Sequence, residues 1–349
     1  MGPLVGKLKH LAPWIVAVAI FAYLFNLYPP GQIWAALRYV NFLWFTLFAI
    51  GYFLVVYVVD CWSVQHVISG LSHPISLRDT LLARGVTYLI MVINYPASQA
   101  AFAYYLKRKR QIPIFDCLSI FLFVIIVDLM WVVTLAFIGS HFQPLIVGSV
   151  DFAPTIRMAA IAVGIGFIVW IGFWQRWLGR LFRIKKRWGW LERFRAHHVF
   201  GIFPKAKFKD YLTTAVMRIP IHVSIIFSIY IVVMTFDVFI PFVNILGTLP
   251  IVLFIGTLPI TPGGLGTTNA AMVHLLAPRM QGDIFSQGII TPQELMLTVS
   301  LLWMFANYLL KILLGVILLR SVSRDLFRPT ADVPEEVAEK EATHLGGAI

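Results

Sequence analysis

Long apolar runs alternate along the chain with short polar breaks, and the length of the runs is the first informative feature. Phe42 to Val59 contains no charged residue, and Cys117 to Ile138 contains Asp128 alone. A helix of about 20 apolar residues crosses a hydrocarbon core about 30 Å thick, so these runs predict transmembrane helices. Full spans are expected at about Leu11 to Tyr28, Val40 to Asp60, Ile114 to Gly139, Thr155 to Trp174, Tyr211 to Phe236 and Pro292 to Leu319. Pro29-Pro30-Gly31 ends the first span. Lys7 and Lys9 precede it as in a signal peptide, but no small-residue cleavage site follows, so it is expected to stay uncleaved.

Two further apolar stretches are interrupted. Asp79 to Asn94 carries Arg84 and Gly85, is broken at Pro96, and continues as a short arm from Ala97 to Leu106. Pro241 to Ile260 is broken at Pro262-Gly263-Gly264 and continues as an arm from Leu265 to Ala277. Proline removes a backbone donor and glycine admits conformations that other residues resist, so neither stretch reads as one straight helix.

Composition excludes a soluble enzyme. Hydrophobic residues make up 59% of the 349 positions and charged residues only 13%, too few to cover an apolar surface of this size. The net charge of +12 is concentrated: eleven of the 28 Lys and Arg lie between Arg176 and Lys209, and Lys107-Arg108-Lys109-Arg110 form a second cluster. Between apolar spans, such clusters follow the cytoplasmic bias of basic loops and do not call for nucleic acid. Cytoplasmic amino and carboxyl termini place both clusters, and Arg320, Arg324 and Arg328, inside. Only Arg38, Arg157 and Arg279 then fall near the outside. This holds only if each interrupted stretch enters and leaves the membrane on one side.

The expected fold is therefore all-α: six full spans and two opposed re-entrant helical hairpins, in an inverted repeat of residues 40–139 and 211–319. Residues 1–320 form one transmembrane domain, and 321–349 are expected to be a disordered cytoplasmic tail. Broken apolar segments at matching places of two halves point to a transporter binding site. Backbone freed at Pro262-Gly263-Gly264 must be buried in protein or line a polar cavity. The candidate binding residues are Pro96, Ser98 and Gln99 in the first half. In the second they are Thr261, Pro262, Gly263, Gly264, Gly266, Thr267 and Asn269. The helix beginning near Leu265 would also aim its N–H groups at an anion. Close helix packing through glycine is the structural alternative.

Among intramembrane charges, Asp128 and Lys311 stand deepest, either as a direct pair or each solvated in its own cavity. Arg84, Arg218, His222 and His274 read as interfacial. Between Trp174 and Phe194, apolar residues recur at helical spacing among Arg180, Arg183, Lys185, Lys186 and Arg187. An amphipathic helix on the anionic inner leaflet is expected there. Cys61 and Cys117 are expected to be unpaired thiols. His197-His198 lacks further ligands, so no metal and no cofactor is assigned.

The Pro262-Gly263-Gly264-Leu265-Gly266 run, the Pro96 segment before a basic stretch, and Asp128 in the next span together resemble the flippase-like transmembrane domain family. That family includes the membrane region of lysylphosphatidylglycerol synthetases and stand-alone relatives, and the resemblance covers roughly residues 10–320. Family members usually carry Gly-Glu after the first proline and Glu after the glycine motif. Here Ser98-Gln99 and Asn269 stand in those places. Recognition of a cationic headgroup is therefore not carried over to this chain, and lipid aminoacylation by the chain itself is not expected.

The resemblance implies a flippase-type carrier in a bacterial plasma or inner membrane. It would move a phospholipid or isoprenoid-type lipid between leaflets, the headgroup held between the hairpin tips. No HExxH, GxSxG or P-loop motif is present, so exchange would be passive or driven by an ion gradient, with Asp128 as the proton-coupling candidate. Two alternatives stay open: a membrane-embedded enzyme or subunit acting on lipid-linked substrates, and a non-transporting partner in an envelope-lipid assembly. The expected partners are membrane lipids, the anionic inner-leaflet surface, and either a second copy of the chain or a lipid-biosynthesis protein.

Overall fold

The computed structural model describes residues 3–142, 144–147, 149–175, 193–194, 197–257, 260–261, 264–288 and 290–327. Within them the chain is an all-helical polytopic membrane protein. Its helices are α1 (Pro3–Leu27), α2 (Pro30–Ala36), α3 (Phe42–Leu71), α4 (Leu77–Met91), α5 (Tyr95–Arg110), α6 (Ile114–Phe142), α7 (Ala153–Trp174), α8 (Phe208–Met234), α9 (Phe242–Thr257), α10 (Thr267–Leu275) and α11 (Pro292–Phe327). A two-residue antiparallel pair, Ile146–Val147 with Val150–Asp151, links α6 to α7. Helices α3, α6, α7, α8 and α11 are each long and apolar enough to cross a membrane. The segments Ala12–Leu27 and Pro30–Tyr39 make a sixth span if taken together, bent by 76° at Pro29.

Short polar side chains set where the helices begin. Asn41 accepts a hydrogen bond from the Trp44 amide at 3.2 Å to start α3, and Ser76 accepts from Asp79 at 3.1 Å to start α4. Thr291 and Glu294 reciprocate at the head of α11, where Glu294 accepts from the Thr291 amide at 2.7 Å.

Three expected boundaries are corrected. The second span does not end at Asp60; α3 continues to Leu71, so Asp60 lies inside a helix. Pro96 does not break the first hairpin but sits in the first turn of α5, where a missing N–H is tolerated. The break is residues 92–94, and Asn94 caps α5 by accepting from the Ala97 amide at 2.9 Å. The last helix runs past Leu319 to Phe327, into the segment expected to be disordered.

Each broken stretch folds back so that its two ends meet. At the first, Asp79 in the opening turn of α4 pairs with Arg110 (2.6 Å) and Lys109 (3.6 Å) in the closing turn of α5. At the second, Phe239 before α9 and Gln281 after α10 exchange backbone hydrogen bonds of 2.9 and 2.8 Å.

The helix contacts also repeat when the halves are exchanged. Helix α4 packs on α11 as α9 packs on α6, and α3 packs on α8 across the middle. Both hairpin-to-span crossings use glycine. A Cβ at Gly139 of α6 would lie 2.6 Å from Gly247 Cα of α9; one at Gly315 of α11 would lie 2.6 Å from Leu89 of α4 and 3.2 Å from the Gly85 carbonyl. Small residues let helix backbones approach where lipid offers no hydrophobic drive to associate.

Candidate functional site

Four helices project charge into one buried cluster. Asp60 of α3 accepts from Arg84 Nε of α4 at 2.7 Å and from Arg218 Nη1 of α8 at 3.0 Å. Arg218 grips Asp128 of α6 with two donors, Nε to Oδ1 and Nη2 to Oδ2, the latter at 2.6 Å. His222, one turn after Arg218, places Nε2 3.0 Å from Asp128 Oδ1. Arg218 also donates to Ser63 at 2.9 Å, and Arg84 donates to Gln99 Oε1 of α5 at 3.0 Å. The Arg84 guanidinium lies 5.5 and 5.2 Å from the ring centres of Phe102 and Phe121.

Two carboxylates thus face two guanidiniums, and their charges balance. A planar guanidinium can serve two carboxylates at once, which a lysine could not do with the same geometry. The cluster joins the first half to the second through α8. Two of its buried atoms, Gln99 Nε2 and His222 Nδ1, have no partner in the structure.

Beside this filled region lies an open one. A cavity of about 360 Å³ is bounded by α3, α8, α9, α10, α11 and the Gly264–Leu265 turn. Its polar lining includes Tyr52, Thr268, Asn269, Ser300, Tyr308 and Lys311, and no Asp or Glu is among its described residues. The turn at its edge depends on glycine. Gly264 and Gly266 have φ of +76° and +82°, and the Thr268 hydroxyl lies 2.6 Å from where a Gly264 Cβ would stand.

At the membrane-surface end of the first hairpin, the Asp79 carboxyl is held below its ordinary pKa. Burial raises it, but the Ser76 hydroxyl and Arg110 guanidinium together outweigh that.

A family model described as the lysylphosphatidylglycerol synthase transmembrane region matches residues 11–315 of the chain. The chain belongs to this family. No curated protein and no solved structure matches it.

Within this family member, the expected site residues separate into three groups. Asn269 and Lys311 meet at the cavity, together with Gly264. Thr261, Thr267 and Gly266 serve the turn itself: the two threonine hydroxyls lie 3.1 Å apart, Thr267 donates to the Gly264 carbonyl, and the Gly266 amide donates to Asn269 Oδ1 at 3.1 Å. Asn269 Nδ2 donates onward to Ser300 at 3.0 Å. In the first half, Ser98 is fully buried and bonds its own helix at Tyr95 (2.7 Å), while Gln99 joins the charge cluster. Pro96 lies in the first turn of α5. Pro262, Gly263 and the basic stretch with Arg180, Arg183, Lys185, Lys186 and Arg187 lie outside the described residues.

A direct Asp128–Lys311 pair is overturned. Asp128 is already bound by Arg218 and His222, and Lys311 instead lies 5.9 and 5.7 Å from the ring centres of Tyr88 and Tyr308. Arg84, Arg218 and His222 do not lie on the protein surface; all three are buried at about 5% exposure. Sequence reasoning passed over Asp60 because it stood at the supposed end of a span. The available signal was balance: an apolar fold that buries two arginines must also bury carboxylates. Cys61 and Cys117 are buried free thiols, as expected, and no metal-binding group occurs among the described residues.

Proposed function

We propose that this family member is a lipid carrier of the flippase type, with the cavity edged by the second hairpin as its headgroup site. The observation that carries this reading is the cavity itself. Its mostly apolar walls carry a set of polar side chains, it is built where a glycine-rich break interrupts the helices, and it is bordered by otherwise apolar spans. The repeated contact pattern supports two opposed re-entrant hairpins, because each pair of hairpin helices closes on itself at its base. The concentration of Lys and Arg at 107–110 and 176–209 supports cytoplasmic termini. In this arrangement the buried cluster acts as the rigid joint between halves, and the cavity is the part that loads.

The experiment is leaflet exchange. The full-length chain in liposomes should accelerate dithionite-resistant movement of a fluorescent phospholipid above protein-free vesicles. Filling the cavity with Thr268→Trp should reduce that rate at unchanged reconstitution. Absence of exchange across several headgroups, with chemical conversion of one of them, would replace the carrier by a membrane-embedded enzyme.

A further inference from the structure

The headgroup class can be read from the charge left over. In the cluster, Asp60 and Asp128 are matched by Arg84 and Arg218, and His222 shares Asp128. Lys311 makes no ion pair among the described residues; the faces of Tyr88 and Tyr308 meet its ammonium group, and Arg84 and Asp60 of the cluster act on it from farther off with opposite sign. A cation deep in a span without a counter-charge is costly, since aromatic faces offset only part of its lost hydration. Lys311 lines the cavity, whose described walls hold no carboxylate.

The neutral groups around it fall into two sets. The Asn269 amide nitrogen and the Ser300 hydroxyl are tied to each other and to the backbone, and Asn307 donates to the Trp303 carbonyl at 2.8 Å. The hydroxyls of Tyr52, Thr268 and Tyr308 have no protein partner in the described structure, and these three residues line the same cavity as Lys311. One ammonium and three unclaimed hydroxyl donors, with no acceptor charge opposite, suit an oxyanion.

We propose that the cavity binds a phosphate group, as the mono- or diester of an anionic lipid headgroup, with Lys311 as its counter-charge and the hydroxyls of Thr268, Tyr52 and Tyr308 as neutral donors. This rests on the reading of the cavity as the headgroup site. It adds a sign: an anionic headgroup is selected, and a headgroup with net positive charge is refused.

The test separates binding from transport. Purified full-length protein is offered equal amounts of dioleoylphosphatidylglycerol, dioleoylphosphatidylcholine and lysyl-phosphatidylglycerol, and the retained lipid is measured by native mass spectrometry. Both lipids offer the same phosphate to Lys311, but the added lysyl ammonium meets a like charge and no carboxylate, so phosphatidylglycerol should be retained about tenfold over lysyl-phosphatidylglycerol. Lys311→Gln should abolish that preference and Lys311→Arg should keep it. If Lys311→Gln does not fold, loss of the preference in wild type on raising the salt concentration serves the same purpose, with Thr268→Val giving a smaller loss. A parallel arm measures thermal stabilisation by inorganic phosphate. A Lys311-dependent shift with phosphate alone assigns the site to the free anion, and a shift only with phosphatidylglycerol assigns it to the lipid; both uphold a phosphate site. Equal retention of the three lipids, or a preference that survives Lys311→Gln, overturns it. Leaflet exchange is scored separately. Selective binding without exchange ends the carrier reading alone, and exchange without selectivity ends the phosphate site alone.

Discussion

The two hairpins are built on one plan and filled differently. The α4–α5 hairpin closes at its base with an ion pair and delivers Arg84 and Gln99 to a cluster in which the charges balance. The α9–α10 hairpin closes with a backbone bridge and borders a cavity whose one described charge, Lys311, is unmatched. A matched, bidentate cluster resists rearrangement, because separating it exposes several charges to low dielectric at once. The cavity beside the second hairpin holds no such matched pair among its described residues. The two hairpins thus share a closing plan and differ in the charge beside them: balanced pairs next to the first, one lysine next to the second.

The largest blow to this contrast is removal of Arg218, which leaves Asp60 and Asp128 short of a partner together. Arg218→Met should cost about 3–5 kcal/mol, seen as collapse of folded yield in detergent. Asp128→Asn should lose folded yield as well, and adding Lys311→Gln should recover none of it, since the two residues are not paired. Recovery in that double variant would show that the halves are coupled through Lys311 and that the filled and open regions are one network.

Next in size are the two symmetric glycine crossings. Gly139→Ala drives a methyl into backbone at Gly247 and should lower stability by about 1–3 kcal/mol. Gly315→Ala meets mainly the Leu89 side chain, which can rotate, so its loss in thermal unfolding should be the smaller of the two. Equal losses would mean that the crossings are packed alike and the second is no looser.

The turn at the cavity comes third. Gly264→Ala forces a left-handed backbone on alanine and should cost about 1–2 kcal/mol, with a larger proportional fall in lipid exchange than in stability. The smallest effect is at the base of the first hairpin. Its Arg110 partner is half exposed, so Asp79→Asn should change stability by no more than about 1 kcal/mol. Because the Asp79 carboxyl lies below its ordinary value in the folded state, the stabilisation is present at neutral pH. It fades as pH falls below about 4, through the folded pKa. A melting temperature whose acid limb is unchanged in Asp79→Asn would remove that clamp from the account.

Much of this architecture is visible in the order of residues. Apolar length located the spans at α3, α6, α7, α8 and α11, because crossing a bilayer allows few alternatives to a continuous apolar helix, and a Pro-Gly run marked the second break; the first lies at residues 92–94, just ahead of the Pro96 that was expected to make it. The candidate site was legible only in part. Asn269, Gly264 and Lys311 do meet at one cavity, whereas Ser98, Thr261 and Thr267 turned out to hold local structure. Local sequence carries no sign of whether a hydroxyl bonds its own turn or faces a ligand.

By itself, then, the sequence determined the membrane class, the broken stretches and the family, all of which follow from composition and short-range pattern. Tertiary structure decided the partners of the buried charges. Asp60, Arg84, Asp128 and Arg218 come from four helices, and Asp60 and Arg218 stand 158 positions apart. Which carboxylate neutralises which guanidinium depends on how helices cross, and hydropathy contains no term for that. The same crossing left Lys311 without an ion-pair partner among the described residues, beside a cavity whose described walls hold no carboxylate.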